Sequence, residues 1–257
     1  FPTRRSSDLQ DLPEDGSLPA LTWEGARHIE HLVMIGPPNA GALDALLHLT
    51  EGIKPGTFFP TYPAAIVGTM PSAYQLLPRT RHRPVIDDNG RPVADLYAPQ
   101  LWRRNQWGLA DPGQEQVLEH LLPQIADAGD RRAVALDHQA KALRRAKHFA
   151  AAMDIRARPP AGTRLFLVAG DAAETNKKAR VDARGRLTIV ATEAGDGSVL
   201  RSSALLDERL PNETHERLKT PIAWHQVLFL FSDHLGLTRD PAFTDNILYF
   251  LLEQPRP

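Results

Sequence analysis

The 257-residue chain contains no cysteine. That excludes disulfides, thiol catalysis and cysteine-based zinc sites. It also lacks charge of one sign: 30 Lys and Arg stand against 31 Asp and Glu, a formal net charge of −1. A balance that close gives no field to gather nucleic acid or an anionic membrane surface. Long apolar runs are missing too. The run from Val227 to Phe231 is far short of the roughly 20 residues that span a bilayer, so no transmembrane segment is expected. Most telling is a missing motif. Gly-x-Ser-x-Gly, the strand–turn–helix setting of a hydrolase serine, occurs nowhere in the sequence.

The start of the chain is unusual. Phe1 to Leu9 (FPTRRSSDL) begins without Met and resembles translated sequencing-adapter DNA, a non-native leader to be set aside from fold reasoning. On that reading the native protein continues upstream of Gln10 and these residues are a fragment.

What is present has the punctuation of an α/β protein. His31-Leu32-Val33-Met34-Ile35 is a short apolar run stopped by Gly36-Pro37-Pro38-Asn39-Ala40-Gly41, as suits a buried parallel strand. Leu43 to Leu49 reads as a short helix. Gly52 to Arg83 reads as irregular, and Asp87-Asp88-Asn89-Gly90 as a hairpin turn between Val85-Ile86 and Pro92-Val93. Asp111-Pro112 is a helix start, with Glu115 to Asp127 and Arg131 to Met153 as two helices. The second carries Leu136, Ala140, Leu143, Ala146 and Phe149 at helical spacing. After the boundary Arg158-Pro159-Pro160-Ala161-Gly162, strands are expected at Arg164 to Gly170, Leu187 to Ala191 and within Thr220 to Phe231. A last helix over Ala242 to Leu252 starts at Asp240-Pro241.

The expected organisation is a leader (1–9), a core strand segment (10–41), a mainly helical cap insertion (42–160) and a C-terminal core (161–257). The order of strands, cap and loops corresponds to the C-terminal half of an α/β-hydrolase parallel sheet, with catalytic loops at the strands' C-terminal ends.

Two loops could carry chemistry. Asp196, in Gly195-Asp196-Gly197-Ser198-Val199, sits on a tight turn able to present a carboxylate to an imidazole. His234, in Ser232-Asp233-His234-Leu235-Gly236, follows the last strand and precedes the last helix, where this fold class carries its base. The rivals are Asp171, which also ends a strand, and His225, at the start of the last one. Ser72, Ser198, Ser202, Ser203 and Ser232 all lack the strand–turn–helix setting of a nucleophile.

Other signals imply no cofactor. His28 and His31 suit a shared helix face but have no third ligand for zinc. Gly195-x-Gly197 lacks the third glycine of a dinucleotide loop. Phe58, Phe59, Tyr62, Tyr74, Trp102 and Trp107 suit either an acyl-chain groove or the core of a cap.

Three segments together resemble the lecithin:cholesterol acyltransferase-like group of lipase-type α/β hydrolases: Gly36 to Gly41, Pro71-Ser72-Ala73-Tyr74-Gln75-Leu76-Leu77-Pro78, and Gly195 to Val199. The family pattern has Thr where Pro37 and Ser198 stand. The resemblance covers most of Gln10 to Glu253 and implies Asp196 as acid, His234 as base and an ester or lipid as substrate. It places the serine elbow before the first of these segments, at or upstream of the leader. The implied activity is serine-dependent acyl transfer or ester hydrolysis by the intact protein; a non-catalytic module that binds lipid or protein is the alternative.

Overall fold

The computed structural model describes residues 17–18, 22–56, 58–207 and 220–253. The Phe1 to Leu9 leader lies outside the described residues. In chain order the elements begin with β1 (His31–Ile35), α1 (Leu43–Glu51), α2 (Ala64–Gly68), α3 (Pro71–Gln75) and β2 (Val85–Ile86). They continue with α4 (Pro99–Asn105), α5 (Glu115–Leu121), α6 (Ala128–Met153) and β3 (Arg164–Gly170). β4 (Ala173–Val181), β5 (Leu187–Gly195), α7 (Arg201–Leu205), β6 (Gln226–Leu230) and α8 (Pro241–Leu248) complete the set. The class is α/β, with one wholly parallel sheet and a second sheet in the order β2-β4-β5. Among the described residues no helix is long and apolar enough to cross a membrane.

The chain divides into two compact units. The first holds the residues through Ala40, His148–Asn176 and Thr192 onward; the second holds Gly41–Lys147 and Lys177–Ala191. The division falls inside α6, β4 and β5.

The first unit is built on the sheet β1-β3-β6, all parallel. Its central strand, Arg164-Leu165-Phe166-Leu167-Val168-Ala169-Gly170, is apolar almost throughout because both of its faces are covered. Val33, Phe166 and Gln226 stand in register, which fixes the faces. On one face Val168, Val33, Leu228 and Leu230 pack with Leu237, Phe243 and Ile247, so α8 lies there. Phe250, just beyond α8, stacks on Phe166 with ring centroids 4.6 Å apart. On the other face Leu167, Ala169 and Val227 pack with Val199, Ala204 and Leu205. Asp240 caps α8 as its sequence suggests, accepting from the Ala242 N–H at 2.9 Å with Pro241 in the first turn.

The second unit is helical around an aromatic core. Tyr74 and Trp102 are fully buried and Trp107 nearly so. Each directs its polar atom to a backbone carbonyl: Tyr74 Oη to Gly68 (3.0 Å), Trp102 Nε1 to Leu96 (2.8 Å) and Trp107 Nε1 to Gly185 (2.6 Å). Buried indoles and phenols need such partners. Arg131, also buried, spans Glu115 Oε1 and the Ile125 and Ala126 carbonyls.

Several expectations shift. β4 was not expected, since its sequence Ala-Glu-Thr-Asn-Lys-Lys-Ala-Arg-Val is mostly charged or polar. Thr175, Ala179 and Val181 are nonetheless buried, with Lys177 between them exposed. The expected strand at Leu187 to Ala191 runs on to Gly195, and it belongs with β4 in the second sheet. Gly52 to Arg83 holds two short helices, α2 and α3. α5 stops at Leu121 rather than Asp127, because Pro123 disfavours helical backbone at Leu122. The buried stripe of α6 runs through Arg131, Ala135, Gln139, Ala142, Leu143, Ala146 and Ala150, turned by about one position from Leu136, Ala140 and Phe149. Gln139 holds that register by donating to the Trp107 carbonyl at 3.1 Å. The six aromatics form no common lining: Phe58, Phe59 and Tyr62 are exposed, whereas Tyr74, Trp102 and Trp107 are core.

Candidate acid–base site

The site of the first unit lies at the C-terminal ends of its parallel strands. β1 ends into Gly36, whose N–H donates to the Val168 carbonyl at 2.8 Å. β3 ends at Gly170, and the Asp171 N–H donates to Leu230 of β6 at 2.9 Å. β6 ends at Leu230, and the chain turns at Ser232 toward His234.

Asp196 enters beside the end of β3. A Cβ on Gly170 would lie 2.5 Å from the Asp196 Cβ and would collide with the Ser232 carbonyl. Only glycine lets the acid loop and the His loop close over that strand end. The two loops are then tied by backbone, since the His234 N–H donates to the Asp196 carbonyl at 2.8 Å.

Their side chains meet as well. His234 Nδ1 lies 2.8 Å from Asp196 Oδ2. The carboxylate is 1% exposed and the imidazole 38% exposed. Asp196 Oδ1 accepts from the N–H groups of Ser198 (2.9 Å) and Val199 (2.6 Å). Amide bonds to a carboxylate are charge-assisted and about twice as strong as neutral ones, so they pin the acid while Oδ2 faces the ring. Gly36 underlies the imidazole, with its missing Cβ position 3.1 Å from His234 Cε1. The carboxylate thereby fixes the tautomer with Nδ1 protonated and Nε2 free to accept. Among the described residues Nε2 has no hydrogen-bond partner.

The rivals have other partners. Asp171 pairs with Arg201 (3.2 Å), whose guanidinium covers the Phe229 ring. The His225 N–H donates to Leu165 at the opposite end of the sheet, and its ring stands on edge to Phe166 at 5.3 Å. His28 closes a 3-10 turn while His31 opens β1, so they share no helix. Among the described residues no three His, Asp or Glu side chains gather as metal ligands. The candidate serines are not on the ring: Ser203 Oγ accepts from Ala40 N–H, and Ser232 Oγ donates to the Asp233 carbonyl.

Comparison with protein-family models finds no match, and comparison with curated proteins finds none.

The segments that carry the resemblance make contacts within each unit. Within the second unit Gly41 packs directly on the Leu77 carbonyl, and the Ala42 N–H donates to Leu76 at 2.8 Å. Within the first, Gly36 meets the His234 ring. Sequence reasoning missed two contributors. Gly170 is a plain strand-end glycine in the sequence, and Thr175 lies on the unexpected strand β4; its Oγ1 accepts from the Gly197 N–H at 2.8 Å.

Proposed function

We propose that Asp196 and His234 are the acid and the base of a serine-dependent acyl-transfer or ester-hydrolysis reaction, on a sheet of α/β-hydrolase type related to the lecithin:cholesterol acyltransferase-like group. The observation that carries this reading is the 2.8 Å contact from a buried carboxylate to the Nδ1 of a part-exposed imidazole. A structural histidine has no need of an open Nε2 beside a pinned acid. In the proposed reaction Nε2 takes the proton of a serine as it attacks an ester carbonyl, then gives it to the leaving alcohol. Water or a second alcohol then receives the acyl group. Asp196 holds the tautomer and stabilises the imidazolium throughout. The reading takes its serine from outside the described residues, and its substrate is an ester or lipid.

The test is p-nitrophenyl ester turnover by the full-length protein. Asp196→Asn is expected to cut kcat on the order of 10⁴-fold and His234→Ala on the order of 10⁶-fold. Turnover that survives both changes would overturn the proposal, as would the absence of turnover in the unsubstituted protein.

A further inference from the structure

We propose that Thr175 is the positioning residue of the acid loop: its hydroxyl holds the Asp196 carboxylate in the orientation that presents one oxygen to His234. The inference rests on the acid–base reading above.

Thr175 stands on β4 among Glu174, Lys177, Lys178 and Arg180, yet it is 1% exposed. Burying a hydroxyl is costly unless it is hydrogen-bonded. Here Oγ1 is used twice. It accepts from the Gly197 N–H at 2.8 Å and donates to the Ala173 carbonyl at 3.2 Å. It also fills the space beside Gly195, where a Cβ would come within 2.5 Å of Oγ1. One hydroxyl therefore holds the Gly197 amide after the acid and packs against Gly195 before it.

The consequence is directional. Gly197 has φ +92°, a backbone that L side chains rarely adopt, and its N–H is the one the hydroxyl holds. With Gly197 fixed, the next two amides, of Ser198 and Val199, both point at Asp196 Oδ1. The turn closes on itself through Asp196 N–H to the Val199 carbonyl at 3.1 Å, and Ala173 bridges Asp196 in parallel. With Oδ1 saturated, Oδ2 is the oxygen left for the imidazole. Released from Thr175, the turn would let the carboxylate rotate, and His234 would lose its single orienting partner.

The test is the low-field proton NMR resonance of His234 Nδ1–H in the full chain, with Thr175→Val and Thr175→Ser. Both the unsubstituted chain and Thr175→Ser are expected to show the resonance, and Thr175→Val to lose it to exchange. Loss of one hydrogen bond corresponds to about tenfold faster exchange of the Gly197 amide in Thr175→Val. A resonance that survives Thr175→Val, or disappears equally in Thr175→Ser, would overturn the role of the hydroxyl while leaving the acid–base pair intact. No resonance in the unsubstituted chain would remove the pair itself, and the proposal with it. A reading that needs no variant is the Gly197 amide of the unsubstituted chain: slow exchange is expected, and exchange as fast as a free loop would also overturn the proposal.

Discussion

The two units bury polar side chains for different ends. In the helical unit Tyr74, Trp102 and Trp107 each spend their polar atom on a backbone carbonyl, and Arg131 spends its guanidinium on Glu115 and two carbonyls. Nothing in that set is left to react. In the sheet unit Asp196 is as deeply buried as those aromatics, but its second oxygen goes to a ring with an open nitrogen. The contrast separates polar burial that holds a core together from polar burial that aims a group at the exterior. It also teaches where to look: at the ends of parallel strands, where glycines remove the side chains that would fill the space.

The comparison can be broken from the helical side. Trp102→Ala removes the largest fully buried ring and is expected to cost about 3–5 kcal/mol. Urea unfolding reads the loss, and the His234 Nδ1–H resonance should survive in the protein that remains folded. A stable Trp102→Ala protein without that resonance would erase the distinction between core and site. A smaller change sharpens it. Trp107→Phe keeps an aromatic ring, smaller than the indole, and strips the donor from the Gly185 carbonyl, at a cost of about 1–3 kcal/mol for the unpaired group in addition to the lost packing. A thermal melt unchanged by Trp107→Phe would mean that the 2.6 Å contact does not stabilise that unit.

How much of this was legible beforehand follows the kind of signal each element carries. β1 and β3 were legible to the residue, because each is an apolar run closed by turn residues. The helix starts at Asp111-Pro112 and Asp240-Pro241 were legible because an Asp followed by Pro is a local cap. β4 was hidden, since most of its residues are charged or polar and its buried positions include Thr175. The α6 stripe was turned by one position because Gln139 and Arg131 are buried by partners distant in sequence. Asp196 and His234 were legible as residues, through their turns and chain order. Two of their supports were not: Gly170 and Thr175 matter only through contacts made across the fold, and nothing local marks them. The partners of Asp171 and His225, Arg201 and the Phe166 ring, were likewise not legible in the sequence.

The central claim is that His234, oriented by Asp196, is the base. The most direct measurement is the low-field Nδ1–H resonance compared across Asp196→Asn, His234→Ala and His225→Ala. The resonance should vanish in the first two and persist in the third. Its persistence in Asp196→Asn, or its loss in His225→Ala alone, would contradict the account.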